Sequence, residues 1–171
     1  MKTLYLIGGT MGVGKTALCR ELQTRLNRCV FLDGDWCWDM RPFQVTAETK
    51  VMVMDNICHI LNNFIRCPAY ENILFCWVMH EQSIIDEILS RLDRTDCQVV
   101  TLSLICSGEN LRNRLQKDID AGIRTSDILA RSVARLPLYE KLNTVKINTD
   151  GKTTSEVADL ICRLTTQNLD C

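Results

Sequence analysis

Residues Gly9 to Thr16 read G-T-M-G-V-G-K-T, a complete match to the pattern G-x-x-x-x-G-K-[ST]. An apolar run, Leu4-Tyr5-Leu6-Ile7, precedes it, and a stretch with Leu18, Leu22 and Leu26 at helical spacing follows. The strand–loop–helix context gives the motif its meaning. Glycines let the backbone turn tightly enough for successive N–H groups to converge on phosphate oxygens. The helix behind the loop turns its positive dipole end toward the same oxygens. Gly9, Thr10, Met11, Gly12, Val13, Gly14, Lys15, Thr16 and Ala17 are therefore expected to hold nucleotide phosphates. Lys15 is expected to reach the β- and γ-phosphates, and the Thr16 hydroxyl to bind Mg²⁺.

The rest of the composition excludes more than it suggests. At 171 residues the chain reads as a single domain, residues 1–171, able to bury about 70% of its unfolded surface. A net charge of −1 gives no reason to expect a nucleic acid polymer as partner. No segment approaches the roughly 18 apolar residues of a membrane span. Met1-Lys2-Thr3 runs straight into the first strand, without the pattern of a secretory signal. The expected compartment is the cytoplasm and the expected state a monomer or homodimer. Ten cysteines never form C-x-x-C and mostly lie in apolar stretches, so they are read as reduced thiols serving as small hydrophobes. Two scattered histidines make no metal site.

Strand and helix patterns alternate. Strands are expected at Thr3–Ile7, Cys29–Leu32, Ile73–Met79, Gln98–Ile105 and Thr144–Ile147. Between the second and third strands, Val51, Met54, Cys58, Leu61 and Ile65 step by three and four, as a helix with one buried face requires. Ser107 and Ser126 are expected N-caps. Such an order predicts an α/β fold, a parallel sheet sandwiched between helices, with ligands beyond the carboxyl ends of the strands.

Strand two runs into Asp33-Gly34-Asp35 at that same edge. The period-two spacing points both acids one way, with Asp33 assigned to Mg²⁺ and Asp35 to the base that takes the acceptor's proton. Trp36 to Phe43 follows directly; Trp36, Trp38, Met40 and Phe43, joined by the more distant Trp77, are expected either to wall an acceptor pocket, with Arg41 gripping a polar acceptor group, or to pack the strand against the long helix. Arg112, Arg114, Lys117, Arg124, Arg131 and Arg135 crowd one region, interrupted by Asp120-Ala121-Gly122-Ile123. The reading is a basic lid, at about residues 116–130. Strand three ends Val78-Met79-His80-Glu81, without the Asp-Glu pair of motor ATPases, and Glu81 is read as belonging to the start of the next helix. No N-K-x-D segment for guanine is present.

Three segments give the chain a resemblance to kinases of small molecules and nucleotides that carry a phosphate-binding loop (P-loop): the shikimate, gluconate and adenylylsulfate kinases, and more distantly the adenylate kinases. They are Gly9–Thr16, Phe31-Leu32-Asp33-Gly34-Asp35, and Ala134–Tyr139 with Asn148–Lys152 and Glu156–Ala158. The resemblance implies the three-layer α/β/α P-loop NTPase fold, strand order 2-3-1-4-5, a helical lid, and ATP with Mg²⁺. It further implies that Arg114 lies on or near adenine, that Asp150, Gly151 and Lys152 border the base, and that Arg135 reaches the phosphoryl group or the acceptor. The G-G-G segment of shikimate kinases after strand three is missing, so shikimate is not the expected acceptor. The leading expectation is an ATP-dependent phosphotransferase with a small-molecule or nucleotide acceptor. The alternatives are a nucleotide-binding regulatory ATPase and an antibiotic-modifying phosphotransferase.

Overall fold

The computed structural model describes residues 1–167. Five parallel strands form one sheet in the order β2-β3-β1-β4-β5: β1 Lys2–Gly8, β2 Cys29–Asp33, β3 Asn72–Trp77, β4 Cys97–Ile105 and β5 Val145–Asn148. The helices are α1 Lys15–Arg25, α2 Ala47–Arg66, α3 Gln82–Ser90, α4 Gly108–Asp120, α5 Asp127–Glu140 and α6 Thr154–Gln167. The layered α/β/α architecture and the strand order are those the sequence and its resemblance imply.

Period-two pleating divides the apolar strand residues between two cores. Leu4, Leu6, Leu32, Ile73 and Phe75 face α2 and α3 in one buried cluster. Tyr5, Ile7, Phe31, Leu74 and Cys76 face α1 and α6 in the other. A third cluster, Leu111, Leu115 and Ile128, holds α4 to α5 with Met11 against it. The α2 stripe is buried at Val53, Met54, Ile57, Cys58, Leu61 and Ile65. Val51, expected in that stripe, is exposed on the solvent side. Thr46 caps α2 in a reciprocal box with Thr49.

Several boundaries depart from expectation, each with a local cause. β2 extends through Asp33, because Asp33 pairs in register with Cys76. β3 ends at Trp77 rather than Met79, although Met79 is fully buried. β5 is shifted one residue, to Val145–Asn148. Ser107 caps α4, its hydroxyl accepting from the Asn110 amide at 3.2 Å. Ser126 does not cap α5 through its side chain; the neighbouring Thr125 hydroxyl donates instead to Asp127. α5 continues past Pro137 to Glu140, since the buried Tyr139 anchors its last turn to the Val78 carbonyl at 3.0 Å. Among the described cysteines Cys19, Cys58, Cys76 and Cys97 are buried, and Cys29, Cys37, Cys67, Cys106 and Cys162 are partly so. Cys171 lies outside the described residues.

Leu61 has no exposure at all and packs α2 onto the sheet. Leu61→Ala is expected to lower unfolding free energy by about 2–5 kcal/mol. Urea denaturation measures this, with a lower midpoint at unchanged slope as the expected result.

Candidate active site

The phosphate-binding loop bridges β1 and α1. Gly12 sits at φ 82°, and a Cβ there would stand 2.5 Å from Leu115 Cδ2. Only glycine fits that conformation against α4. No side chain caps α1, and its first turn carries no acid, so its leading amides are left to a ligand. Thr10 is turned the other way. It is buried, and its hydroxyl donates to the Ser132 carbonyl of α5 at 2.9 Å. The Lys15 ammonium donates to the Thr10 carbonyl at 3.1 Å. Loss of water pushes its pKa down, against the opposing pull of Cys76, Asp35 and Asp33.

β2 delivers the acids. The Thr16 hydroxyl donates to Asp33 Oδ2 at 2.7 Å, joining the first turn of α1 to the end of β2. Asp35 is placed differently from the pleat argument. The strand stops at Asp33, and Gly34–Trp38 forms a 3-10 turn. The Asp35 amide donates to Asp33 Oδ1 at 3.1 Å, so the first acid caps the turn that carries the second. Gly34 allows close passage here: a Cβ would lie 2.6 Å from Trp77 Cγ. Although Asp35 is exposed at the cleft mouth, the cleft walls displace water around its carboxyl. That loss and the Asp33 charge raise its pKa, while Lys15, the Trp77 indole N–H and Arg124 oppose the rise.

One hydroxyl and one carboxylate at 2.7 Å are hard oxygen donors suited to Mg²⁺. No group of three His, Cys, Asp or Glu that could hold a metal exists among the described residues. The set fits an ion held jointly with nucleotide phosphates rather than by an all-protein cage.

On the far side of the loop, a cavity of about 300 Å³ is lined by Val13, Leu18, Leu104, Arg114, Thr149 and Lys152, among others. Arg114 NH1 donates to the Val13 carbonyl at 3.2 Å and the Thr149 hydroxyl at 3.1 Å, and NH2 donates to the Thr149 carbonyl at 3.1 Å. Lys152 lines this cavity directly. Asp150 instead accepts from the Ser107 amide at 2.8 Å and Asn110 Nδ2 at 2.7 Å. Partial desolvation would raise its pKa, but these bonds and Arg114 hold it below the usual value. Gly151 turns the chain at φ 66°.

The remaining expected residues divide. Arg135 is half-buried on α5 and makes no hydrogen bond or ion pair among the described residues; its charge is felt by Tyr139. Arg41 is exposed, likewise unpaired, beside a cis bond to Pro42. Trp36 stands edge-on to Phe31 at 5.2 Å, with the Arg20 guanidinium over both rings. Phe31 belongs to the α1 face of the sheet. Trp77 belongs to the opposite face, with Trp38 at 6.1 Å. The two tryptophans expected to share one wall thus lie on opposite sides of it.

Sequence reasoning gave no role of its own to Thr149. It named Arg124 only within the basic group. Arg124 Nε donates to Asp118 Oδ2 at 3.0 Å across the α4–α5 turn, and its charge bears on both Lys15 and Asp35. The Gly122 turn was the available signal, since it folds Arg124 back over α4. Glu81 immediately precedes α3 and lies 3.5 Å from His80 Nε2. No helix among the described residues is long and apolar enough to cross a membrane.

Similar folds occur among solved structures. The tunicamycin resistance protein of Deinococcus radiodurans superposes with TM-score 0.71 at 17% identity, covering 96% of each chain. A gluconokinase from Sinorhizobium meliloti 1021 gives 0.65 at 16% identity, covering 96% of this chain and 97% of that one. Shikimate kinase from Acinetobacter baumannii, in complex with shikimate, gives 0.63 at 21% identity, covering 98% and 94%. A search of the curated proteins finds no match. The model of the AAA_18 family, described as AAA domain, matches residues 6–131, well over half of the sequence, and the chain belongs to that family.

Proposed function

We propose that this chain is an ATP-dependent phosphotransferase that moves the γ-phosphoryl group of ATP to a hydroxyl of a small-molecule acceptor. The observation that carries the reading is the convergence of Lys15, the Thr16–Asp33 pair and Asp35 at the carboxyl edge of β1 and β2. In that reading the uncapped amides of α1 and Lys15 hold the β- and γ-phosphates. Adenine enters the cavity beside Arg114 and Lys152. Thr16 and Asp33 hold Mg²⁺, which when bound neutralises charge on the phosphate oxygens.

The acceptor oxygen forms its bond to the γ-phosphorus as the bond to the β–γ bridging oxygen breaks and ADP leaves. Asp35 takes the hydroxyl proton. A raised pKa suits that role, because a stronger base holds the transferred proton better. Arg124, carried by the α4–α5 turn and braced by Asp118, steadies charge on the transferring group. Closure of the same turn excludes water that would otherwise hydrolyse ATP. The absence of an Asp-Glu pair at the end of β3 weighs against a motor within an AAA family. The tunicamycin resistance protein among the similar folds keeps antibiotics in the range of acceptors to screen. ATP as donor places the activity in the cytoplasm.

Asp35→Asn is expected to lower the acceptor-dependent rate by about 10²–10⁴-fold while ATP affinity stays within a factor of about two. ADP release measured with and without acceptors tests this; undiminished transfer would remove Asp35 from the base role, and turnover indifferent to every acceptor would favour a regulatory ATPase. Asp33→Asn should raise the Mg²⁺ concentration for half-maximal rate by about 10- to 100-fold, read from magnesium titrations. Arg124→Ala should reduce kcat by tenfold or more, toward about 10³-fold, with little change in ATP binding by calorimetry.

A further inference from the structure

Trp77, Trp38 and Phe43 form a continuous aromatic row that starts at the proposed base. Trp77 closes β3 and crosses Gly34, and its indole N–H bears on the Asp35 carboxylate, opposing the rise in its pKa. Trp38 follows at 6.1 Å between ring centres and Phe43 at 5.9 Å from Trp38, each pair tilted by 38°. The Trp38 indole is fixed by its N–H, which donates to the Gln44 carbonyl at 3.1 Å.

Core packing accounts for the inner edges of the two tryptophans, which rest on the α2 face of the sheet. It does not account for Phe43, which is 66% exposed and extends the row from Trp38 into solvent. An exposed aromatic ring in line with two half-buried ones leaves apolar surface in water, which a flat ligand would cover.

Charge narrows the ligand. From Gly34 to Val45 the acids are Asp35 and Asp39, and Arg41 is the single base. A phosphate dianion lying along this segment would meet two acids with one exposed arginine, Arg41, the Lys15 and Arg124 charges bearing on Asp35 at the inner end. An open-chain polyol would leave the row uncovered.

We propose that the acceptor is an uncharged alcohol bearing a flat ring, which lies along Trp77, Trp38 and Phe43 and presents its hydroxyl to Asp35. The assignment rests on the phosphotransferase reading and names its acceptor class. Bond changes are those of the transfer already described: the ring-bearing alcohol gains the phosphoryl group, ADP departs and the proton passes to Asp35.

Binding can be read without turnover. In the Trp36→Phe protein the emitting residues are Trp38 and Trp77. With the nucleotide site filled by ADP and Mg²⁺, 4-nitrophenyl β-D-glucopyranoside and 4-nitrobenzyl alcohol are titrated as quenching probes. The expected result is saturable quenching that ribose 5-phosphate and D-gluconate do not compete away. Phe43→Ala, at a position too exposed to threaten folding, should raise the half-quenching concentration by about fivefold. Quenching that never saturates, that Phe43→Ala leaves unchanged, or that ribose 5-phosphate displaces overturns the assignment. ADP release stimulated by gluconate or a nucleotide, with no saturable quenching, overturns the acceptor class while leaving the transferase reading intact. Saturable quenching with ADP release indifferent to every alcohol overturns the transferase reading, and with it the role of this row as an acceptor site.

Discussion

The hydrogen bond from Thr16 to Asp33 joins two segments that are not neighbours in the sheet. β3 lies between β1 and β2, so the contact exists only because three strands agree in register. Asp33 pairs with Cys76, and Cys76 pairs with Ile7. Parallel pairing puts the three side chains in one row, and pleating sends the row to the α1 face. The middle member is a fully buried thiol. A cysteine is small enough to lie under the loop without lifting it, and Cys19 of α1 sits against it, its thiol pKa pushed well up by burial. A slip of one residue in β2 would send Asp33 to the α2 face and empty the site.

The same alternation explains why the aromatic segment divides. Phe31 and Asp33 face α1, Leu32 faces α2, and the 3-10 turn after Asp33 then resets the direction of the chain. Trp36 returns toward Phe31 and Arg20, whereas Trp38 crosses to Trp77. A turn of three residues per revolution cannot be read from a pattern of alternating strand positions. Proximity in sequence therefore suggested one wall for Trp36 and Trp38 where the backbone builds two.

What was legible in the sequence was what local patterns dictate. The loop, the strands and the α2 stripe are periodic or motif-bound, and the fold follows from them. Asp33 and Asp35 were found because a loop upstream gives acids at that edge a task. Their relation to each other was not legible: Asp33 places Asp35 by accepting its amide, a contact of geometry rather than spacing. Ser126 failed as a cap because its own backbone is already helical, at φ −66° and ψ −22°, rather than extended as a capping residue's is. Arg124 was hidden among six similar cations, and only the Gly122 turn, which brings it to Asp118, sets it apart. Asp150 reads as a nucleotide contact by its place in the chain, yet its carboxylate is occupied in holding the start of α4.

α5 is attached at both ends of the cleft. Thr10 ties its Ser132 carbonyl to the phosphate loop, and Tyr139 ties its last turn to Val78 behind the aromatic row. The first bond is buried and the second partly so, and away from water a lost partner costs more than the bond itself contributes. The helix is therefore tied down at two points along its length. Arg135 lies between those two anchors and shares their rigidity, whereas Arg124 lies outside them, on the turn before α5 begins. In the proposed phosphotransferase, the positive charge that closes onto the nucleotide is thus assigned to the α4–α5 turn. There the ion pair between Arg124 and Asp118 is partly open to solvent, and such a pair is weak enough to exchange for a phosphate.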